Sequence, residues 1–388
     1  MKRNIAKLAG FALVLAIGGL LFAWSGLYNV AATAGHWPVT AWLLHFTMRN
    51  SVETHAMPLD APPLDEPALA ERGAGHYETG CAPCHGAPGS PANRIPNKML
   101  PEPPYLPAAV DDWTAEELFW IVKHGLKYTG MPAWPAESRD DEVWAVTAFL
   151  TRLPQISAEE YALLAKGAGP GMPASTDGEP KLPETPGEIF RLSDAALIGA
   201  CVRCHGIDGA GRPSGAFPRL DMQSPDYLAR ALEEYASGVR PSGIMQPIAA
   251  ALDGNGIERL ARHYAEQAGE APVRAADAER DLLELGRRIA AEGFPERQIA
   301  ACSACHGLED GPENPLFPNL AGQYAAFTIL QLTLWKEGKR GGSSYSEIME
   351  PIVADMSADE IEAVALYYQN RPARQGGAAA EPEVAPAP

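Results

Sequence analysis

From Leu8 to Tyr28 the chain runs 21 residues without a charged side chain. At 1.5 Å rise per residue, a helix of that length spans roughly the 30 Å of a bilayer core. Beyond it the apolar pattern changes to i, i+3, i+7. It is seen at Ile257, Leu260 and Tyr264, at Ile361, Val364 and Tyr368, and at Val143, Val146 and Leu150, continuing to Leu153. That spacing keeps one face of a 3.6-residue helix apolar. No later stretch shows the sustained alternation of a half-buried strand. The pattern therefore predicts an all-α protein, with helical domains following an N-terminal transmembrane helix.

Breaks in the pattern set the predicted boundaries. Residues 1–56 form the transmembrane anchor and a juxtamembrane helix, the latter marked by Trp37, Trp42, Leu43, Leu44 and Phe46. That helix fits either a membrane surface or a cap on the first domain. Residues 57–67 carry Pro58, Pro62, Pro63 and Pro67 and read as a stiff linker. Residues 166–187 hold five Gly and five Pro and read as a second linker. Residues 373–388 form an Ala/Pro/Gly/Glu tail without an apolar face, expected to be disordered. Between the breaks lie three domains, 68–165, 188–270 and 275–372. Each has roughly 80–100 residues, small for a self-sufficient core, so a bound group is expected to help fill it. The last two are internal repeats. Phe217-Pro218-Arg219-Leu220 answers Phe317-Pro318-Asn319-Leu320, and Met245-Gln246-Pro247-Ile248 answers Met349-Glu350-Pro351-Ile352.

Charge narrows the partners. Lys and Arg number 31 against 49 Asp and Glu, a formal net charge of −18. Such a chain lacks the basic surplus that neutralises phosphates, so nucleic acid is excluded and a partner with a basic docking patch is favoured. Lys2, Arg3 and Lys7 flank the apolar run and orient the N-terminus to the cytoplasm, with the bulk exported. Ala32-Thr33-Ala34 fits a signal-peptide cleavage site. The length of the apolar run favours an uncleaved single-pass anchor in the cytoplasmic (inner) membrane, with the domains in the periplasm.

Cysteine usage carries the chemistry. All six cysteines fall in Cys-x-x-Cys pairs followed at once by histidine: Cys81, Cys84 and His85; Cys201, Cys204 and His205; Cys302, Cys305 and His306. Two thiols at this spacing can each form a thioether to a haem vinyl group, which holds the next histidine under the iron. A redox dithiol would need a βαβ setting, and halves of one zinc site would lie closer together in the chain. Three covalently bound haem c groups are predicted. The sixth iron ligand must come from later in each domain. Met131, Met245 and Met349 lie 46, 40 and 43 residues after their histidines. Met/His ligation raises the potential and closes the iron to small molecules. Met356 is set aside because its repeat counterpart is Leu252, Met99 because it follows His85 too closely, and Met222 because the third domain has no equivalent. Pro218 and Pro318, with Pro104 in the first domain, are candidates to accept the proximal His N–H through their carbonyls. His36, His45, His55, His76, His124 and His263 are read as structural.

The three domains resemble class I cytochrome c domains over roughly 68–372. The second and third, with Cys201…Met245 and Cys302…Met349, are similar to the paired domains of cytochrome c4. The first, with Lys123-His124-Gly125 and Thr129-Gly130-Met131-Pro132-Ala133-Trp134, looks like single-haem domains of membrane-bound respiratory chains. The resemblance implies a small helical fold with crossing terminal helices and no catalytic residues. It implies electron transfer from a quinol-side donor to a redox partner, with a terminal oxidase as the leading expectation. Triheme cytochrome subunits of alcohol and gluconate dehydrogenases are a second group of this kind. A haem enzyme is the third alternative, and it would need an iron with an open position.

Overall fold

The computed structural model describes residues 2–167, 194–267, 280–308, 312, 314–342 and 345–372. Nearly all of the linker expected at 166–187 and the whole tail at 373–388 lie outside the described residues. Among those described there are helices and turns but no strands, only the isolated bridges Ala87–Ser90 and Phe294–Ile299.

Helix α1 (Lys2–Ser25) contains the apolar run, and its span Asn4–Trp24 is long and apolar enough to cross a membrane. Tyr28 shares a hydrogen bond with His36 Nδ1 (2.8 Å) and packs edge-on against Trp37, leading into α2 (Pro38–Ala56). The two ends of α2 differ in burial. Near its C-terminus Val52 and Ala56 are buried and Arg49 lies 4.6 Å over the Trp113 ring. Near its N-terminus Val39, Trp42, Leu43, Leu44 and Phe46 are exposed.

The first segment contains α3 (Pro67–His76), α4 (Ala82–His85), α5 (Leu106–Ala109), α6 (Ala115–His124), α7 (Asp140–Leu150) and α8 (Ala158–Lys166). Thr114 and Glu117 cap α6 reciprocally, satisfying two of its orphan N–H groups. Leu153, expected to continue the α7 stripe, sits instead in a 3-10 turn after the helix ends, still fully buried. Helices α3 and α7 cross at Gly73, where a Cβ would fall 2.0 Å from the Ala145 carbonyl oxygen. Only hydrogen fits there.

The second segment holds α9 (Asp194–His205), α10 (Pro225–Ala236), α11 (Met245–Ala250) and α12 (Gly254–Ala265). The third holds α13 (Arg280–Ala291), α14 (Ser303–His306), α15 (Ala325–Lys336), α16 (Ser346–Ala354) and α17 (Ala358–Gln369). Here the terminal pair α13 and α17 crosses at Gly286, whose Cβ would fall 2.1 Å from the Ala363 carbonyl oxygen. Three separate buried clusters result, centred on Tyr77 and Phe149, on Leu260 and Tyr264, and on Ile289 and Tyr368.

The second and third segments meet through a reciprocal set of bonds. Gln223 accepts from the Asn319 N–H (2.9 Å) and donates to the Asn319 carbonyl (2.9 Å). Gln323 accepts from the Arg219 N–H (3.0 Å) and donates to the Arg219 carbonyl (3.1 Å). Because 219 and 319, and 223 and 323, are matching repeat positions, the junction has a local two-fold. The first segment meets the second by other means: Arg212 donates to Glu71 (2.7 Å) and to the Leu164 carbonyl (2.6 Å).

Candidate cofactor sites

Each Cys-x-x-Cys-His run is helical and ends on a glycine with positive φ: Gly86 at 70°, Gly206 at 78° and Gly307 at 67°. The left-handed backbone turns the chain sharply after the histidine, at a position where glycine is the least strained residue. The run is thus Cys-x-x-Cys-His-Gly three times over, a sequence signal that the reading above left unused. In the first segment α3 enters the motif through a π-turn, Tyr77–Cys81, an insertion often seen at functional sites. Buried Tyr77 donates to the Gly86 carbonyl (2.7 Å), and Tyr368 does the same to Gly307 (3.2 Å). These tyrosines, buried in their cores, also fix the turn.

The three histidines share one geometry. Nδ1 lies 2.9 Å from the Pro104 carbonyl oxygen in His85, 3.2 Å from Pro218 in His205, and 2.9 Å from Pro318 in His306. A carbonyl only accepts, so Nδ1 carries the proton and Nε2 keeps its lone pair. Burial lowers the pKa of all three, outweighing the carbonyl that favours the charged form, so each ring is the neutral imidazole a metal requires. All three carbonyls are those anticipated from sequence.

The cysteines are free thiols, partly exposed at each site. Burial pushes Cys81 and Cys302 up to about 12 and Cys201 to about 11. These are neutral thiols beside apolar cores, unlike the depressed thiolates of a redox dithiol. Among the described residues no three His, Cys, Asp or Glu side chains cluster to hold a metal ion. A thiol pair, one imidazole nitrogen left available and an apolar surround fit a haem.

Met131, Met245 and Met349 are each partly buried. Met131 sits in a loop held by its own N–H on Thr129 Oγ1 (3.0 Å). Met245 opens α11, and Met349 lies in α16 packed against the same cluster as Cys302. Met356 is 2% exposed inside that cluster, the packing role the repeat comparison assigned it. Met222, equally buried, sits at the junction, 3.7 Å from Gln323 Nε2. Met99, set aside for its closeness to His85, is nonetheless brought to the Met131 loop. A Cβ on Gly130 would meet its Cε at 1.9 Å. His124 packs on Trp120, and His76 packs on Trp134 while its ring also lies beside Gly80, next to Cys81.

Comparison with known proteins follows this geometry. Residues 68–150 match the family described as cytochrome c oxidase, cbb3-type, subunit III. The chain is 39% identical over 172 residues to a thiosulfate dehydrogenase electron acceptor of Stutzerimonas stutzeri, covering 44% of this chain and 78% of that one. A protein of the same description from Thiomonas intermedia is 33% identical over 199 residues, 48% of this chain and 88% of its own. Cytochrome c4 of S. stutzeri is 30% identical over 187 residues, 44% and 84%. Neutral, carbonyl-pinned histidines beside paired thiols in small helical bundles, with these relatives, define a haem-bearing electron carrier. The chain belongs to the c-type cytochromes, with cytochrome c4-like domains. Covalently bound haem c and electron transfer with redox proteins come with that membership.

Proposed function

We propose that the chain is a membrane-anchored triheme cytochrome that relays electrons in a periplasmic respiratory chain, with a terminal oxidase as acceptor. The observation that carries this reading is the threefold recurrence of one site: paired cysteines, a histidine pinned through Nδ1 by a proline carbonyl, and a later methionine. Cys81 and Cys84, Cys201 and Cys204, and Cys302 and Cys305 attach the three haems. His85, His205 and His306, together with Met131, Met245 and Met349, would hold the irons. When bound, the haem supplies a one-electron change at iron. The proline carbonyls fix the ring orientation, and the apolar clusters exclude water from the buried side. The fully exposed α1 with its basic flank supports anchoring. The match of the first segment to an oxidase subunit family favours an oxidase as acceptor.

A second reading, the electron-accepting cytochrome of a periplasmic dehydrogenase, is favoured by the likeness to two thiosulfate dehydrogenase electron acceptors. Membranes lacking the chain separate the two. Loss of quinol-driven oxygen uptake supports the first. Loss confined to uptake driven by a periplasmic substrate supports the second. Ligation is tested by replacing Met131, Met245 and Met349 with Ala singly and following the methionine-to-iron charge-transfer band of the oxidised protein. Each replacement is expected to remove one share of the band and to open one iron to carbon monoxide. Met99→Leu should leave both readouts unchanged. Loss of the band in Met99→Leu but not in Met131→Ala would move the first ligand to Met99.

A further inference from the structure

Glu142 is a buried carboxylate, 4% exposed, with no place in the sites described above. It lies on the first turn of α7, yet three of its four close partners belong to loops that carry proposed iron ligands. Trp134 Nε1 donates to Oε2 (3.2 Å), and Trp134 is three positions after Met131 in the same loop. Gly243 N donates to Oε2 (2.6 Å) and Ser242 Oγ to Oε1 (2.6 Å), three positions before Met245. The fourth partner is Arg139, 3.1 Å from Oε1. Four donors converge on one side chain, the arrangement of an acceptor-only carboxylate.

The path from Glu142 to Met245 is short. Ser242 Oγ accepts from the Met245 N–H (2.9 Å) and the Ile244 N–H (3.2 Å). With both N–H groups donating to it, the hydroxyl proton goes to Glu142. The same carboxylate therefore orients the hydroxyl that caps the start of α11. Packing closes the arrangement. The Trp134 ring lies on Gly243, where a Cβ would fall 2.2 Å from Nε1, and Ile244 packs against the first segment's core. Arg139 adds a bond to the Pro241 carbonyl (2.6 Å).

The geometry points to Glu142 as a positioning residue that ties the methionine loops of the first and second haem sites to one another. This inference rests on the reading of Met131 and Met245 as ligands. One carboxylate from one segment sets the seating of a ligand loop in the next, so the first two iron sites share a fastening.

The test uses the full haem-loaded protein and potentiometric titration followed in the visible spectrum. The three methionine variants first assign one midpoint potential to each site. If none of them moves a potential, the ligand reading fails and the inference has nothing to act on. With assignments in hand, Glu142→Ala is expected to shift the first and second potentials, each by around tenfold in the redox equilibrium, about 59 mV for one electron, and to leave the third in place. Trp134→Phe should shift the first alone and Ser242→Ala the second alone, and these milder variants decide the matter if Glu142→Ala fails to fold. Glu142→Gln, which keeps the shape and an acceptor, should restore part of the shift. A lowered melting temperature with all three potentials unchanged overturns the proposal, as does an equal shift of all three.

Discussion

Replacing Gly286 with alanine tests whether the crossing of α13 and α17 is as close as described. On an open helix surface Gly→Ala stabilises by about 1 kcal/mol, because alanine has the higher helix propensity. At Gly286 the added Cβ would sit 2.1 Å from the Ala363 oxygen, 2.7 Å from its carbonyl carbon and 2.8 Å from Tyr367 Cβ. Ordinary carbon contacts begin near about 3.5 Å, so the helices must part by about 1 Å or more. Two of the three blocking atoms are backbone, which cannot swing aside. Overpacking of this kind costs about 1–3 kcal/mol, and the parted helices also lose contact along their length. The expected net is a destabilisation of the third segment by about 1–2 kcal/mol, the overpacking cost winning over propensity. The assay is denaturant unfolding of the haem-loaded protein, with Gly254→Ala as control because nothing lies within 4 Å of that position. Gly254→Ala should be neutral or stabilising. If Gly286→Ala is as stabilising as Gly254→Ala, the crossing is looser than described and the reasoning fails.

The third segment should also show a defined acid sensitivity. Arg297 holds both oxygens of Glu360 (2.5 and 2.9 Å), and the Ser357 backbone adds a bond (2.8 Å), so the Glu360 carboxyl titrates below its ordinary 4.5. A lowered folded-state pKa contributes stability that is complete above 4.5 and lost as the pH falls through the lowered value. Arg297→Ala should therefore weaken the protein at neutral pH and converge with the parent in acid, and a constant difference across pH would refute the pairing. At the junction, Gln323→Ala removes both bonds to the Arg219 backbone, a cost of about 1–3 kcal/mol for the two. By the local two-fold, Gln223→Ala should cost about the same by unfolding measurements; a large inequality would show that the symmetry is only apparent. Finally, a carrier with net charge −18 should reduce its partner more slowly as salt rises, and stopped-flow rates indifferent to ionic strength would remove the basic-patch partner.

Much of this architecture is visible in the sequence because the motifs are local. The cysteine pairs, the histidines and the three proline carbonyls are fixed by short spacings, and the repeats identified Met356 as packing before any coordinates. What escaped is long-range. Glu142 looks like an ordinary acidic residue in the first turn of a helix; only the approach of Ser242, a hundred residues on, gives it a role. Met99 is discounted on sequence distance, but the stretch between it and Met131, which contains α5 and α6, brings the two methionines back together. The period-3.6 stripe ran through Leu153 because a 3-10 turn keeps the side chain inward after the helix has ended. One end of α2 is buried and the other exposed, which one amphipathic pattern cannot express.

The reciprocal bonding of Gln223 with Asn319 and of Gln323 with Arg219 has a consequence for assembly. A contact in which each half offers the other the same patch is isologous, and it closes on itself. In this chain both copies of the patch are spent on one another, so neither remains to recruit a second molecule. A single unpaired repeat would carry that patch open and would be expected to dimerise through it. The first segment, finding it occupied, joins by a surface of a different kind, in which donor and acceptor faces are unlike. The chain thus encloses a symmetric pair and appends an asymmetric third, which gives the row of sites a distinguishable head and tail.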